Sequence, residues 1–475
     1  MKKQTTLILS ALMLLLGCNL TNTKPATAQS LQVSPNHHYL VGKDGAPFFW
    51  LGDTAWELFH RLNRKEATSY LENRASKGFT VIQAVVLAEL DGLNTPNANG
   101  HKPLIDDDPT KPNEAYFKDV DFIVNKAQQL GLHIGMLPTW GDKWNKKWGV
   151  GPIVFNPKNA EVYGRFLGRR YRNKPIIWIL GGDRNPETPE QMKIVNALAK
   201  GLQEGDDGAH LMTYHPMGGS NSAEWFQDSV WLDFNMIQSG HGELNTPNYK
   251  TINTNYHRTS TKPTLDGEPN YEDIPIGFNP ENGWFTAADV RQAAYWSMLA
   301  GAMGHTYGNN NIWQMWQPGR KPIINARIPW YQAMNQQGAF QMTFFRKLFE
   351  SRPFYKLIPD ETLISGDILH DTDPARAAKA KDNSFALIYL PQGQNITVDL
   401  SMFHHKNVNA YWFNPRLGTY IRLAGFQAEK SKKFDPPSDI RKDNDWVLVL
   451  DDADAHYPPP GQITLQKGGF FKGDN

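Results

Sequence analysis

Cysteine is all but missing from this chain. One occurs among 475 residues, Cys18, so no disulfide can form within the chain and stability must come from packing. An excess of one charge is missing too, with 49 Lys and Arg against 48 Asp and Glu. A surface so balanced offers no extended positive field, which argues against nucleic acid as a partner. Long apolar runs are absent except at residues 7–16, too few to span a bilayer. Several chemical signatures are also lacking. No Gly-x-Gly-x-x-Gly turn follows an apolar run, and there is no phosphate loop, no Gly-x-Ser-x-Gly and no His-Glu-x-x-His. His37-His38 and His404-His405 are adjacent pairs rather than metal-ligand spacings. Asp106-Asp107-Asp108 lacks a full oxygen-ligand pattern and reads as a solvated loop. No metal and no cofactor are therefore expected.

What is present begins at the N-terminus. Met1-Lys2-Lys3, the short apolar run and then Leu15-Leu16-Gly17-Cys18 resemble a bacterial lipobox, in which the cysteine is lipidated and becomes the mature N-terminus. An ordinary secretory signal with a chance cysteine is the competing reading. The expected plan is a signal peptide over 1–17, a lipoprotein tether over 18–30 and lipidation at Cys18. That would make a cell-envelope protein facing the periplasm or the cell surface, touching the membrane through its anchor.

From about residue 48 apolar runs alternate with helix-period segments. Strands are expected at 48–54, 79–87, 132–139, 176–182, 211–215, 234–239, 263–267 and 303–307. Helices are expected at 64–77, 116–130, 157–172, 189–204, 222–228, 248–256 and 287–300, with a long one near 329–350. Eight strand-then-helix units predict an α/β fold, a (β/α)8 TIM barrel over 31–352. A doubly wound sheet would give the same alternation but should carry a glycine-rich turn. Asn156-Pro157, Thr188-Pro189-Glu190-Gln191 and Thr286-Ala287-Ala288-Asp289 are helix starts that fix the register. After Pro353 the runs become short and β-prone between Pro, Gly and Asn turns, predicting a smaller C-terminal β-sandwich over 353–475.

Barrel enzymes hold their reacting groups at the C-terminal ends of strands. Two strand ends stand out. Ile176-Ile177-Trp178-Ile179-Leu180-Gly181-Gly182 ends in Asp183, and Pro263-Thr264-Leu265-Asp266-Gly267 ends in Glu268. Splitting a glycosidic bond needs one acid to protonate the leaving oxygen and a second carboxylate to act at the sugar carbon. Asp183 could instead cap a helix, but Thr188 already supplies that cap. Glu268 could instead close the barrel by pairing with Arg184 or Arg291. Other strand tips carry Asp53, Trp56, Glu89, Trp140, His215, His241, His305 and Trp313. Singly each is more often structural; as a ring they suggest a sugar pocket with polar partners and aromatic walls. The 15 Trp and 12% aromatics allow either core packing or sugar stacking.

Trp50-Leu51-Gly52-Asp53-Thr54-Ala55-Trp56, Gly181-Gly182-Asp183-Arg184-Asn185-Pro186 and Asp266-Gly267-Glu268-Pro269-Asn270-Tyr271-Glu272 resemble glycoside hydrolase family 140. These are apiosidases acting on the pectin rhamnogalacturonan II, in a group once filed as domain of unknown function 4038. The resemblance covers about residues 31–350, and Tyr411-Trp412-Phe413-Asn414-Pro415-Arg416 resembles the collagen-binding-type β-sandwich that often follows. It implies a retaining exo-glycosidase, with Asp183 as acid/base and Glu268 as nucleophile, no cofactor, and a plant cell-wall oligosaccharide as substrate; a monomer is expected, though the sequence does not give the oligomeric state. The rivals are the same machinery turned on another furanoside or plant glycan, and a non-catalytic surface glycan-binding lipoprotein. The last predicts aromatics without a paired acid.

Overall fold

The computed structural model describes residues 30–365 and 374–463. The expected signal peptide and lipidation site, Cys18, lie outside the described residues. Eight strands follow in chain order: β1 Trp50–Thr54, β2 Val81–Leu87, β3 His133–Thr139, β4 Ile176–Leu180, β5 Met212–Tyr214, β6 Asn235–Gln238, β7 Thr264–Asp266 and β8 Gly304–Tyr307. β8 pairs with β1, and pairing continues in parallel through β5. β6 and β7 form a second parallel pair. Single bonds close the two seams: the Asp233 amide donates to the Met212 carbonyl at 2.9 Å, and the Met303 amide to the Thr264 carbonyl at 3.0 Å. The result is the expected (β/α)8 barrel.

The strands are continuous apolar runs because both faces are buried. Val81, Val85, Ile177, Ile179, Phe234 and Leu265 fill the interior. Ile82, Ala84, Val86, Ile134, Trp178 and Leu180 face outward against the helices. Those helices are α1 Arg64–Ser76, α2 Glu114–Gln129, α3 Pro157–Tyr171, α4 Pro189–Asp206, α5 Ala223–Phe226, α6 Asn248–Tyr256, α7 Ala287–Leu299 and α8 Gln337–Glu350. Asn156, Thr188 and Thr286 each begin a helix with a capping box, so Asp183 is indeed spare. The helix expected near 329–350 is two, Trp330–Ala333 and Gln337–Glu350. A short antiparallel sheet of Leu31–Val33, Leu40–Gly42 and Pro47–Phe48 precedes the barrel. It sends Leu31 and Leu40 into the interior cluster.

After the barrel come β9 Arg376–Ala380, β10 Phe385–Leu390, β11 Asn407–Asn414 and β12 Trp446–Asp452, all in one antiparallel sheet. Alternation divides its two faces. Ala386, Ile388, Ala410, Trp412, Leu448 and Leu450 pack toward a smaller sheet that includes Ile396–Asp399 and Ser431–Phe434. Leu387, Tyr389, Tyr411, Phe413, Val447 and Val449 pack on barrel residues Tyr295, Met298, Phe345 and Phe349. The sandwich therefore shares a core with α7 and α8. Arg291 reaches across this seam to Asp445 at 2.7 and 3.0 Å, and Arg352 holds Asp451 at 2.7 and 2.9 Å.

Candidate active site

Past β4 the chain makes a tight reversal. Gly181, Gly182 and Asp183 all have left-handed backbone, with φ of 96°, 69° and 59°. A Cβ at Gly181 would meet the His215 carbonyl oxygen at 2.2 Å, so only glycine fits. Asp183 itself accepts a conformation that costs an L-residue about 1–2 kcal/mol, and it projects at the barrel mouth. Past β7, Glu268 follows Gly267 at the strand tip, and Pro269 after it disfavours helical backbone there.

One imidazole joins the two acids. His215, just past β5, accepts the Asp183 backbone N–H at Nδ1 (3.0 Å). That leaves the proton on Nε2, which lies 2.9 Å from Glu268 Oε2. His241 Nε2 is 3.1 Å from the other oxygen, Oε1. Burial alone would raise the Glu268 carboxyl, but the two imidazoles set against its oxygens outweigh it and bring it down to about 2. Asp183 moves the other way. Burial and then the neighbouring Glu268 charge push it up to about 7, against the pull of His215 and Arg184. Two carboxyls of one site are thus driven to opposite protonation states, the pattern by which an acid and a nucleophile are separated.

Asp183 and Glu268 line a cavity of about 850 Å³ with Trp56, Glu89, Trp140, His241 and Trp313. The volume falls toward the upper end of the usual ligand-pocket range of about 300–1,000 Å³. Trp56 and Trp140 stand 5.5 Å apart and both lean on His215. Glu89 is pushed up to about 8, by burial first and then by the Asp183 charge, so it carries its proton at neutral pH. Several buried polar atoms of lining residues have no protein partner: Trp140 Nε1, Gln238 Oε1 and His241 Nδ1. Unpartnered polar atoms are rare in folded proteins, and each calls for a reason.

Not every expected residue reaches the cavity. His215 is fully buried and acts from behind the two acids. Asp53 is closed into a network with Tyr70 and Arg74, where its carboxylate is committed to a buried guanidinium. His305 is also fully buried, and burial pushes it down to about 3; it belongs to the packing. Both sit on strands where the reversed side-chain direction, invisible in a short run, decides the outcome. The proposed pairing of Glu268 with an arginine fails as well: Arg291 serves Asp445, and Arg184 lies 3.5 Å from Asp183. Three aromatic lining residues lacked a signal at a strand end. Trp148 sits in a loop, Phe278 ends a short 3-10 turn, and Tyr271 follows Glu268, where its hydroxyl takes the Trp56 indole N–H at 3.0 Å. A tryptophan set between two lysines and a glycine in Lys146-Lys147-Trp148-Gly149 is the one cue that could have marked Trp148, since no apolar period explains it. Among the described residues, no group of three or more His, Cys, Asp or Glu could hold a metal ion.

Comparison with known proteins agrees with this geometry. Residues 34–356 match the model of the apiosidase-like catalytic domain. Residues 358–451 match a family described as "Putative collagen-binding domain of a collagenase". A solved structure titled glycoside hydrolase is 34% identical, with a TM-score of 0.83, over 90% of this chain and 98% of its own. A second, titled glycoside hydrolase family 5 from Bacteroides vulgatus, is 33% identical with the same TM-score, over 90% and 95%. No curated protein matches the chain. With the family model spanning most of the sequence and the paired acids at the barrel mouth, the chain belongs to the apiosidase-like family of glycoside hydrolases.

Proposed function

We propose that this glycoside hydrolase is a retaining exo-enzyme that releases apiose from rhamnogalacturonan II side chains, with Glu268 as nucleophile and Asp183 as acid/base. The observation that carries the roles is the placement of both acids on one cavity around His215, which takes the Asp183 backbone N–H and faces the Glu268 carboxylate, with burial raising Asp183 and the imidazoles lowering Glu268. Glu268, ionised, attacks the anomeric carbon and forms a glycosyl ester. Asp183, protonated, gives its proton to the departing glycosidic oxygen. Loss of the Glu268 charge in the ester removes the repulsion that raised Asp183, so it becomes a base suited to deprotonate water. That water attacks the anomeric carbon, frees the sugar and restores both acids. A single imidazole between the Asp183 backbone and the Glu268 carboxylate supports a close pair, as retention needs (about 5–5.5 Å against about 6.5–9.5 Å for inversion).

Apiose as substrate rests on the family model. The unpartnered polar atoms on Trp140, Gln238 and His241 support a ligand dense in hydroxyls. A site built for particular hydroxyls rejects a sugar that leaves its own groups unpaired. The test is chromatography of products from rhamnogalacturonan II fragments beside arabinofuranosides and glucans. Free apiose from the pectic fragments alone is the expected result. Activity on arabinofuranosides with none on apiosylated oligosaccharides would replace the substrate and keep the enzyme class. The lipobox-like Leu15-Leu16-Gly17-Cys18 supports an anchored envelope enzyme, in which Cys18→Ala should move the protein to the soluble fraction.

A further inference from the structure

Trp148 is an aromatic that the roles above do not use. It is 37% exposed and lines the cavity. The buried Arg184 guanidinium stacks at 3.7 Å from its ring centroid and also donates to its carbonyl oxygen. The loop that carries it is fixed from below. Asp142, itself paired with Lys143 inside the protein, accepts the Gly151 amide at 2.7 Å. Gly149 lies against Asp142 with φ 91°, where a Cβ would come within 2.7 Å. One face of the indole is therefore backed by a rigid cation, and what remains exposed borders the cavity. Its Nε1–H donates to Asp183 Oδ2 at 3.1 Å.

Asp183 must approach the oxygen that leaves, so the sugar bearing that oxygen lies beside it. An exposed, rigidly backed ring bonded to Asp183 is placed to stack on that sugar. We infer that Trp148 is the platform for the leaving-group sugar and, through its N–H, the positioning residue for the Asp183 carboxyl. This rests on the roles given to Asp183 and Glu268. Committing Oδ2 to the indole leaves Oδ1 to carry the proton to the substrate. The other charged or titratable groups acting on Asp183 are Glu268, His215, Arg184 and Glu89; of these only Arg184 touches the Trp148 ring, and Trp148→Phe keeps a ring for it to stack on.

The two halves of the inference separate experimentally. Trp148→Ala should raise KM for an apiosylated oligosaccharide about tenfold, or about 1.4 kcal/mol, and leave KM for a methyl apioside unchanged, since that aglycone is too small to stack. Trp148→Phe keeps a ring and loses the donor. It should hold the oligosaccharide KM within about twofold while moving the alkaline limb of kcat/KM to higher pH, because a hydrogen bond that favours the carboxylate is gone. Thermal melting checks both folds, and Trp148→Phe carries the test if the alanine variant does not fold. Equal KM changes for both substrates, or an alkaline limb unmoved in Trp148→Phe, would overturn the inference while wild-type hydrolysis continued. A wild-type protein that hydrolysed no glycoside would instead overturn the function on which it rests.

Discussion

Asp445 and Asp451, at the seam between barrel and sandwich, are buried, and Glu268 and Asp183, at the barrel mouth, are buried and part-buried, yet their company differs. Each seam carboxylate is held by both arms of a buried arginine, Arg291 or Arg352. Around them Tyr295 and Tyr389 stack at 4.6 Å and the Trp296 indole donates to the Pro374 carbonyl. At the mouth Glu268 has histidines in place of an arginine, Asp183 is left-handed and meets Arg184 through one nitrogen at 3.5 Å, and buried polar atoms are left without partners. A carboxylate with both oxygens held by an arginine stabilises the fold; a cavity lined by unmet bonding capacity is arranged for something that arrives later. The same residue type serves stability in one place and chemistry in the other.

The sharpest way to break that comparison is to change one acid in each place. Glu268→Gln should cut kcat by about four to six orders of magnitude on every substrate, whatever its leaving group, with a normal unfolding midpoint. Asp183→Asn should lose about 10²–10⁴-fold on poor leaving groups and much less on good ones. Equal losses in both variants on both kinds of substrate would show the roles wrongly divided.

Arg352→Ala should do the reverse. It strands Asp451 as an unpaired buried charge, at a cost of about 3–5 kcal/mol by urea unfolding, while the folded fraction keeps its kcat. A drop in kcat at unchanged stability would mean that the seam reaches the site.

A smaller effect is the pH profile of kcat/KM. Catalysis needs Glu268 ionised and Asp183 protonated. Glu268 is held down to about 2 by His215 and His241 against its burial, so it is ionised over the whole working range. Asp183 is pushed up to about 7 by burial and by Glu268. Activity should therefore be high in mild acid and fall about tenfold per pH unit above about 7 as that proton is lost. Because the two acids titrate as a pair, Glu268→Gln should also lower the Asp183 value, seen by NMR of the carboxyl carbon. An alkaline limb absent from the wild type below pH 9 would contradict the assignment of the acid.

Much of the barrel was legible because its signals are local. Apolar runs bounded by capping boxes at Asn156, Thr188 and Thr286 fixed where helices start, and runs without alternation marked strands buried on both faces. Asp183 and Glu268 were legible because glycines and a proline stop each strand just where a carboxylate appears. Asp53 and His305 misled because a strand tip in sequence does not say which way its side chain points, and both meet partners or packing more than 20 residues away. The Trp148 contact with Asp183 and the His215 bridge could not be read, since each depends on contacts between loops that only the closed barrel brings together; the Trp148 ring itself had only its polar setting as a cue. The seam was equally silent: Arg291 and Asp445 are 154 residues apart.

The most direct test of the account is to trap the glycosyl ester. The protein is incubated with a 2-deoxy-2-fluoro apioside bearing a dinitrophenyl leaving group, digested, and its peptides are weighed by mass spectrometry. The account predicts a stoichiometric fluoroglycosyl adduct on the peptide containing Glu268, absent from Glu268→Gln. An adduct on Asp183, or none while the sugar is released with inversion, would contradict it.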